Sequence, residues 1–148
     1  MTREITPEEY KKMIAKKSNN TYSRIRRGVA KDLGNKYFRC AWERNYARYL
    51  EWQKKNGYIL KWEYEPVKFE FKTIRSGTVF YTPDFKVFKN NGKTEYHEIK
   101  GYMDRKSATK IKRFRKYYPN ETLIVVEGDQ LKEIARFKNM IPFWEEGE

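Results

Sequence analysis

Hydrophobic residues change their spacing at Asn56-Gly57, and this change constrains the fold more than any other feature of the sequence. Before it, apolar residues between Phe38 and Leu50 recur every three or four positions, as on one side of a helix. After it, apolar residues alternate between Ile59 and Phe71, which is typical of a β-strand. The sequence therefore predicts a long helix followed by a strand, and a fold that mixes α and β structure.

The second half of the chain continues this pattern. A turn at Asn90-Asn91-Gly92 separates two strand-like segments, so a hairpin is predicted there. The predicted elements after the first strand are strands at Val79–Phe88 and Thr94–Lys100, a helix at Asp104–Tyr117, a strand at Thr122–Val126 and a helix at Leu131–Lys138. This order predicts an α/β (α+β) protein with an αβββαβ core, in which helices flank a mixed central sheet.

The first part of the chain has a different character. Thr6-Pro7-Glu8-Glu9 is typical of a helix start, and the helix is predicted to end near Lys17. Residues 22–39 are basic and show weak apolar periodicity, so we expect an extended or partly helical arm that is ordered mainly by contact with DNA or a second subunit. Residues 1–36 are accordingly predicted to be a basic N-terminal helix and arm, and residues 37–148 the globular domain.

Charge points to the kind of partner. The 148 residues carry 33 Lys or Arg against 20 Asp or Glu, a net charge of +13. A small domain with such a surplus favours a polyanion, and the interleaved aromatic residues favour nucleic acid. No apolar run approaches the roughly 20 residues of a membrane span. We therefore expect no membrane partner and, without a signal-like segment, a cytoplasmic location.

Metal chemistry is limited by the scarcity of soft ligands. The chain has one cysteine and one histidine, His97, which excludes zinc sites of the usual kind. A metal would have to be bound by oxygen atoms, and such a shell suits Mg²⁺ or Mn²⁺.

An acidic pair on the predicted hairpin supplies such oxygens. Asp84 lies on the second predicted strand and Glu98 on the third, and the hairpin can bring them side by side. Glu98 and Lys100 are two residues apart and so project to the same face. The Ile99 carbonyl could add a third oxygen, while Lys100 could orient or deprotonate a water molecule. Glu43 on the preceding helix could complete the site, with Glu51 and Asp32 as weaker candidates.

Contact with DNA is expected from the basic arm, from the basic helix that follows the third strand, and from two tyrosines beside the acidic pair. These residues are Arg24, Arg26, Arg27, Lys36, Arg39, Tyr81, Tyr102, Arg105, Lys106, Lys110 and Arg113. The helix should position phosphates and not read bases.

Pro83-Asp84 followed by Glu98-Ile99-Lys100, with Glu43 upstream, resembles the PD-(D/E)XK nuclease superfamily. The sequence at residues 38–43, 81–85 and 96–102 is similar to that of small phage-encoded endonucleases of the Holliday junction resolvase type. The similarity covers roughly residues 33–142. It implies a restriction-endonuclease-like core and a homodimer that cleaves branched DNA with Mg²⁺, for which Mn²⁺ is expected to substitute. It also implies that Asp84, Glu98 and Glu43 serve the metal and that Lys100 serves the attacking water.

Three other functions stay open. The chain could be another nuclease of this fold, one that nicks DNA or is specific for flaps or single strands. It could be a DNA-binding module without catalysis, although such a module has no need of an acidic cluster among cations. An RNase H-like resolvase would use three or four carboxylates, and the Glu98-Ile99-Lys100 strand argues against it.

Overall fold

The computed structural model of the protein describes residues 27–146, which divide into two compact units. The first consists of the described residues up to Asn45 together with Glu145 and Glu146, and the second is Tyr46–Trp144. The helix predicted to end near Lys17, and Arg24 and Arg26, lie outside the described residues.

The first unit contains a β-hairpin where we expected an arm. Strands β1 (Gly28–Ala30) and β2 (Lys36–Phe38) pair antiparallel around a 3₁₀ turn at Lys31–Leu33. Ala30 and Phe38 are fully buried. For this part of the chain the structure thus has a paired hairpin with buried side chains in place of the expected extended or partly helical arm. The predicted boundary between residues 36 and 37 falls inside β2.

Hydrogen bonds within the first unit join Glu145, near the C-terminus, to the start of the long helix. Helix α1 (Ala41–Lys55) begins in this unit. In its first turns the Arg44 guanidinium donates two hydrogen bonds of 2.6 and 2.8 Å to the Glu145 carboxylate. The Asn45 amide donates to the Glu145 carbonyl and accepts from the Glu145 backbone N–H. These four bonds fasten the C-terminal segment to the start of α1.

The second unit is built on a four-stranded mixed sheet. Its strand order is β3 (Lys61–Tyr64), β6 (Phe85–Phe88), β7 (Thr94–Ile99) and β8 (Leu123–Val126). The β3–β6 and β6–β7 pairs are antiparallel, whereas β7 and β8 are parallel and are joined through helix α2 (Arg105–Tyr117). Strands β4 (Phe69–Glu70) and β5 (Phe80–Tyr81) form a separate small sheet, and helix α3 (Gly128–Ala135) follows β8.

Two predicted strands are each divided in the structure. The segment 59–71 is interrupted at Glu65, whose φ of 44° lies in the left-handed region and bends the chain between β3 and β4. The segment 79–88 is interrupted before Phe85, between β5 and β6. The last helix begins three residues earlier than predicted, because Glu127 and Gln130 form a capping box at its start.

Helices cover both faces of the main sheet, as predicted. On one face, Ile111 and Phe114 of α2 pack with Tyr81 of β5, Tyr96 of β7 and Leu123 of β8. Phe71, which directly follows β4, belongs to the same cluster. On the other face, Tyr46 of α1 packs against Phe85, with ring centroids 5.3 Å apart. Within residues 27–146, no helix is long and apolar enough to cross a membrane.

Candidate active site

Asp84 and Glu98 lie on neighbouring strands at one end of the main sheet. Phe85 of β6 pairs with His97 of β7, so the same antiparallel register continued by one residue sets Asp84 opposite Glu98. Asp84 Oδ2 accepts a hydrogen bond of 2.7 Å from the backbone N–H of Ile99. This bond fixes the Asp84 carboxylate against the end of β7. The hairpin therefore brings Asp84 to the end of the strand that carries Glu98.

Both oxygens of the Glu98 carboxylate have partners in the structure. Glu98 is buried, with 6% of its surface exposed. The Tyr81 hydroxyl donates a 2.7 Å hydrogen bond to Oε2, and Lys100 Nζ lies 3.1 Å from Oε1. The expectation that Glu98 and Lys100 project to the same face is confirmed by this ion pair. We call Tyr81, Asp84, Glu98 and Lys100 the acidic cluster.

Tyr81 lies beside the acidic pair, as expected, but its side chain is buried. Only 3% of its surface is exposed, and its ring packs edge-on against Phe114 at a centroid distance of 5.4 Å. A ring buried in this way is not presented to DNA, so the expected substrate contact is replaced by a contact with Glu98. Burial and the nearby Glu98 and Asp84 carboxylates raise the pKa of the Tyr81 phenol. The phenol therefore stays protonated and remains a hydrogen-bond donor.

The opposite face of β7 carries a second polar network. The Tyr46 hydroxyl lies 2.6 Å from His97 Nδ1, and His97 Nε2 lies 3.0 Å from Glu95 Oε2. Burial lowers the pKa of His97, although the hydrogen bond to Glu95 acts in the other direction. A neutral imidazole with its proton on Nε2 satisfies both contacts. His97 points away from the acidic cluster, as the strand alternation predicts.

The donor chemistry of the acidic cluster fits a small hard cation. Asp84 and Glu98 offer carboxylate oxygens, and Mg²⁺ commonly binds one or two carboxylates while water and substrate phosphate supply its other ligands. The imidazole, a softer ligand, is engaged on the other face. No group of three His, Cys, Asp or Glu side chains that could hold a metal occurs among residues 27–146. Asp84 and Glu98 are thus the part of the predicted ligand set that the structure brings together.

The remaining acidic candidates are Glu43, Glu51 and Asp32. Glu43 is half-buried in the first turn of α1, within the first unit. Glu51, the alternative, accepts a 2.8 Å hydrogen bond from the Trp62 indole and pairs with Lys54 at 3.1 Å. Burial would raise the pKa of Glu51, but these two partners lower it. Glu51 therefore links α1 to β3. Asp32 lies exposed in the 3₁₀ turn of the hairpin.

The residues expected to contact DNA fall into three groups. Arg27, Lys36 and Arg39 are exposed on or beside the hairpin of the first unit. In the second unit, Tyr102 is 81% exposed in the loop between β7 and α2, and Arg105 and Lys106 are exposed at the start of α2. Further along α2, Lys110 is half-buried, and Arg113 donates a 2.7 Å hydrogen bond to the Thr78 carbonyl. The start of α2 thus presents its cations to solvent, whereas Arg113 braces the loop before β5.

Sequence reasoning missed the role of Tyr81 as a donor to Glu98. In the sequence, Tyr81 precedes Asp84 by three residues, but this spacing does not show where the Tyr81 ring points. The direction of the ring depends on the break between β5 and β6. It also missed the hairpin at residues 28–38, whose strands are three residues each and too short to show a period.

The fold and the acidic cluster define a mixed α/β protein with paired carboxylates and a lysine at the end of its central strands. The chain belongs to the DUF1064 family, described as protein of unknown function, which it matches over residues 29–133. No curated protein and no solved structure matches it.

Proposed function

We propose that this protein is a Mg²⁺-dependent, structure-selective DNA endonuclease with a restriction-endonuclease-like core, acting as a homodimer on branched DNA such as four-way junctions. Its place of action would be the cytoplasm, which is that of the host cell if the chain is phage-encoded. The observation that carries the proposal is the acidic cluster, in which Asp84 lies opposite Glu98 and Glu98 is paired with Lys100.

The charge around the cluster supports this chemistry. The protein carries a net charge of +13, and it nevertheless buries the carboxylate of Glu98. Buried carboxylates become favourable where they share a site with a cation, and a basic surface brings phosphate to the same place. Exposed cations at the start of α2 follow Lys100 by five and six residues in the sequence, at Arg105 and Lys106.

Each residue of the cluster has a distinct task in this proposal. Asp84 and Glu98 would hold Mg²⁺, which when bound stabilises the negative charge that develops on the phosphate. Lys100, charged in its pair with Glu98, would orient the attacking water and stabilise the negative charge that develops on the phosphate. As the water oxygen bonds to phosphorus and gives up a proton to solvent, the bond from phosphorus to the 3′ oxygen breaks and that oxygen takes up a proton, which leaves a 3′ hydroxyl and a 5′ phosphate. Glu43 would complete the site, as the sequence resemblance implies.

The experiment that tests the function is cleavage of an immobile four-way junction, a linear duplex and a single strand of matched sequence. Each substrate is incubated with the full chain in Mg²⁺ and in EDTA. Paired symmetric nicks in the junction alone, present only with Mg²⁺, are expected. A two-fold dimer provides two sites with this symmetry.

Two other results would change the assignment. Comparable cutting of the linear or single-stranded substrate would retain the nuclease site but contradict the selectivity for junctions. Tight junction binding without cleavage in either Mg²⁺ or Mn²⁺ would contradict catalysis and favour a DNA-binding module.

A further inference from the structure

The β-hairpin of the first unit presents an exposed pair of apolar side chains. Val29 on β1 lies directly opposite Tyr37 on β2, and each is 54% exposed. Residues that face each other in an antiparallel pair project to the same side, with Cβ atoms roughly 5 Å apart. Val29 and Tyr37 therefore form one continuous surface, which we call the hairpin platform.

The platform is held in place from behind. Ala30 and Phe38, which neighbour Val29 and Tyr37 along the two strands, are buried with 1% and 0% of their surface exposed. The turn between the strands contains Gly34 and Asn35, both with the positive φ that Gly and Asn adopt most readily. A preformed surface loses little conformational entropy when it binds a ligand.

The surroundings of the platform are strongly cationic. The hairpin and its flanks, residues 27–39, carry one acidic residue, Asp32, and four exposed basic residues: Arg27, Lys31, Lys36 and Arg39. A second copy of the chain docking here through the same surface would bring two such sets of cations together, which costs free energy. A polyanion with apolar or aromatic faces matches the surface instead.

Tyr37 differs from many of the aromatic residues in the second unit. Trp52, for example, has ring contacts with Tyr49, Tyr58 and Phe137. Such rings stabilise the fold by packing against one another. Tyr37 makes no ring contact with another residue of the described range 27–146, and half of its surface faces solvent. Its ring is therefore open to a flat ligand.

We propose that the hairpin platform stacks on the free face of a DNA base while the surrounding cations hold the flanking phosphates. The choice of DNA rests on the proposed function. Stacking on an aromatic ring tolerates any base, because every base has a π-face. In a regular duplex the bases are already stacked on each other, whereas branch points and single strands offer free faces. The hairpin would thus contribute to selectivity for branched over linear DNA.

The test measures binding of the full chain in EDTA, where no cleavage takes place. The probe is a short DNA strand carrying 2-aminopurine, used alone, paired in a duplex, or placed at the branch point of a junction. Tyr37→Ala should weaken binding of the single strand and the junction by roughly 5- to 100-fold, the range for loss of one base–aromatic stack. Duplex binding should be unchanged. Tyr37→Trp should retain the affinity and the fluorescence quenching that stacking produces.

Tyr58→Ala is the matched control, because Tyr58 is also exposed, at 63%, but lies outside the hairpin. It should not change binding. Circular dichroism should show that both alanine variants fold. A short RNA of the same sequence is the comparison ligand, and tighter binding of RNA than of DNA would overturn the assignment to DNA.

Three results would overturn the platform itself. One is unchanged single-strand binding by Tyr37→Ala, and another is an equal loss on duplex and single strand. The third is a change from dimer to monomer in light scattering, which would make the hairpin an interface between copies. Failure of the wild-type chain to cleave in Mg²⁺ would contradict the proposed function but not the platform, since the stacking test needs no cleavage.

Discussion

The two faces of strand β7 carry polar networks of nearly the same composition. On one face, Tyr81 donates to Glu98, and Glu98 pairs with Lys100 at 3.1 Å. On the other, Tyr46 meets His97, His97 meets Glu95, and Glu95 pairs with Lys89 at 3.0 Å. Each network thus contains a buried tyrosine hydroxyl, a strand glutamate and a lysine.

The difference between the faces lies in the group that completes each network. On the His97 face, a neutral imidazole links tyrosine to glutamate, and Lys89 balances the Glu95 charge. On the Glu98 face, the further group is Asp84, so two carboxylates accompany one lysine. Like charges that share a partly buried site raise the free energy of a fold unless a cation joins them. We infer that the His97 network stabilises the fold, and under the proposed function the acidic cluster would bind a cation.

The largest effect should follow from changing an acidic residue on the Glu98 face. Asp84→Asn should reduce cleavage by more than about 100-fold, since a ligand oxygen becomes an amide, which is a poor ligand for Mg²⁺. The fold should be retained, because the Asn oxygen can still accept from the Ile99 N–H. DNA binding should be equal or tighter, as one negative charge is removed. Junction cleavage and binding in EDTA measure the two quantities.

Glu95→Gln is the control for that variant, because it removes one carboxylate from the opposite face of the same sheet. It should cleave at a rate close to wild type. Full activity in Asp84→Asn, or equal loss in both variants, would contradict the assignment of the site.

The next largest difference in cleavage rate between the two faces should follow from changing their lysines. Lys100→Met keeps the aliphatic stem and removes the charge, and should lower the cleavage rate by about 100-fold or more, as expected for loss of a group acting on developing charge. Lys89→Met makes the same change beside Glu95 and should leave cleavage nearly unaltered. Single-turnover rates at saturating Mg²⁺ provide the measurement. Similar rates for the two variants would show that Lys100 has no special role.

Removing each tyrosine hydroxyl should give a smaller but more specific contrast. In Tyr81→Phe, Glu98 loses the donor that orients it, and we expect the Mg²⁺ concentration for half-maximal cleavage to rise by roughly 10- to 100-fold. In Tyr46→Phe, His97 loses a buried partner, and the free energy of unfolding should fall by about 1–3 kcal/mol without a change in Mg²⁺ requirement. Metal titrations and urea unfolding test both variants. An equal Mg²⁺ requirement and an equal free energy of unfolding in the two variants would contradict the proposed difference between the faces.

The smallest effect should be a pH dependence of stability from the His97 face. Burial lowers the pKa of His97 from 6.5, so the folded state keeps the imidazole neutral while the unfolded chain takes up a proton below that pH. This contribution to stability is full above pH 6.5 and is lost as the pH falls toward the lower folded pKa. Urea unfolding between pH 5 and pH 7.5 should show this slope.

His97→Gln should flatten that slope. Because His97 is the one histidine of the chain, the change in slope near pH 6 can be assigned to it. A wild-type slope that persists in His97→Gln would contradict the assignment.

The hairpin at residues 28–38 and the division of the predicted strand 59–71 are two features that sequence patterns did not predict. A period of two is visible only over several residues, and β1 and β2 have three each. The division of the predicted strand 59–71 depends on the left-handed backbone of Glu65, a conformation that non-glycine residues seldom adopt. Neither feature leaves a clear pattern in the sequence, so both were predicted incorrectly.

Short-range patterns by themselves determined the main helices, the hairpin between β6 and β7, and the pairing of Asp84, Glu98 and Lys100. Alternation along one strand fixes the direction of Glu98 and Lys100, and a tight turn fixes the strand opposite them. Only the tertiary structure decided that Tyr81 turns inward to Glu98 and that Tyr46 closes the His97 network. Those contacts join residues 17 and 51 positions apart, and they depend on how helices and strands pack, which no local spacing encodes.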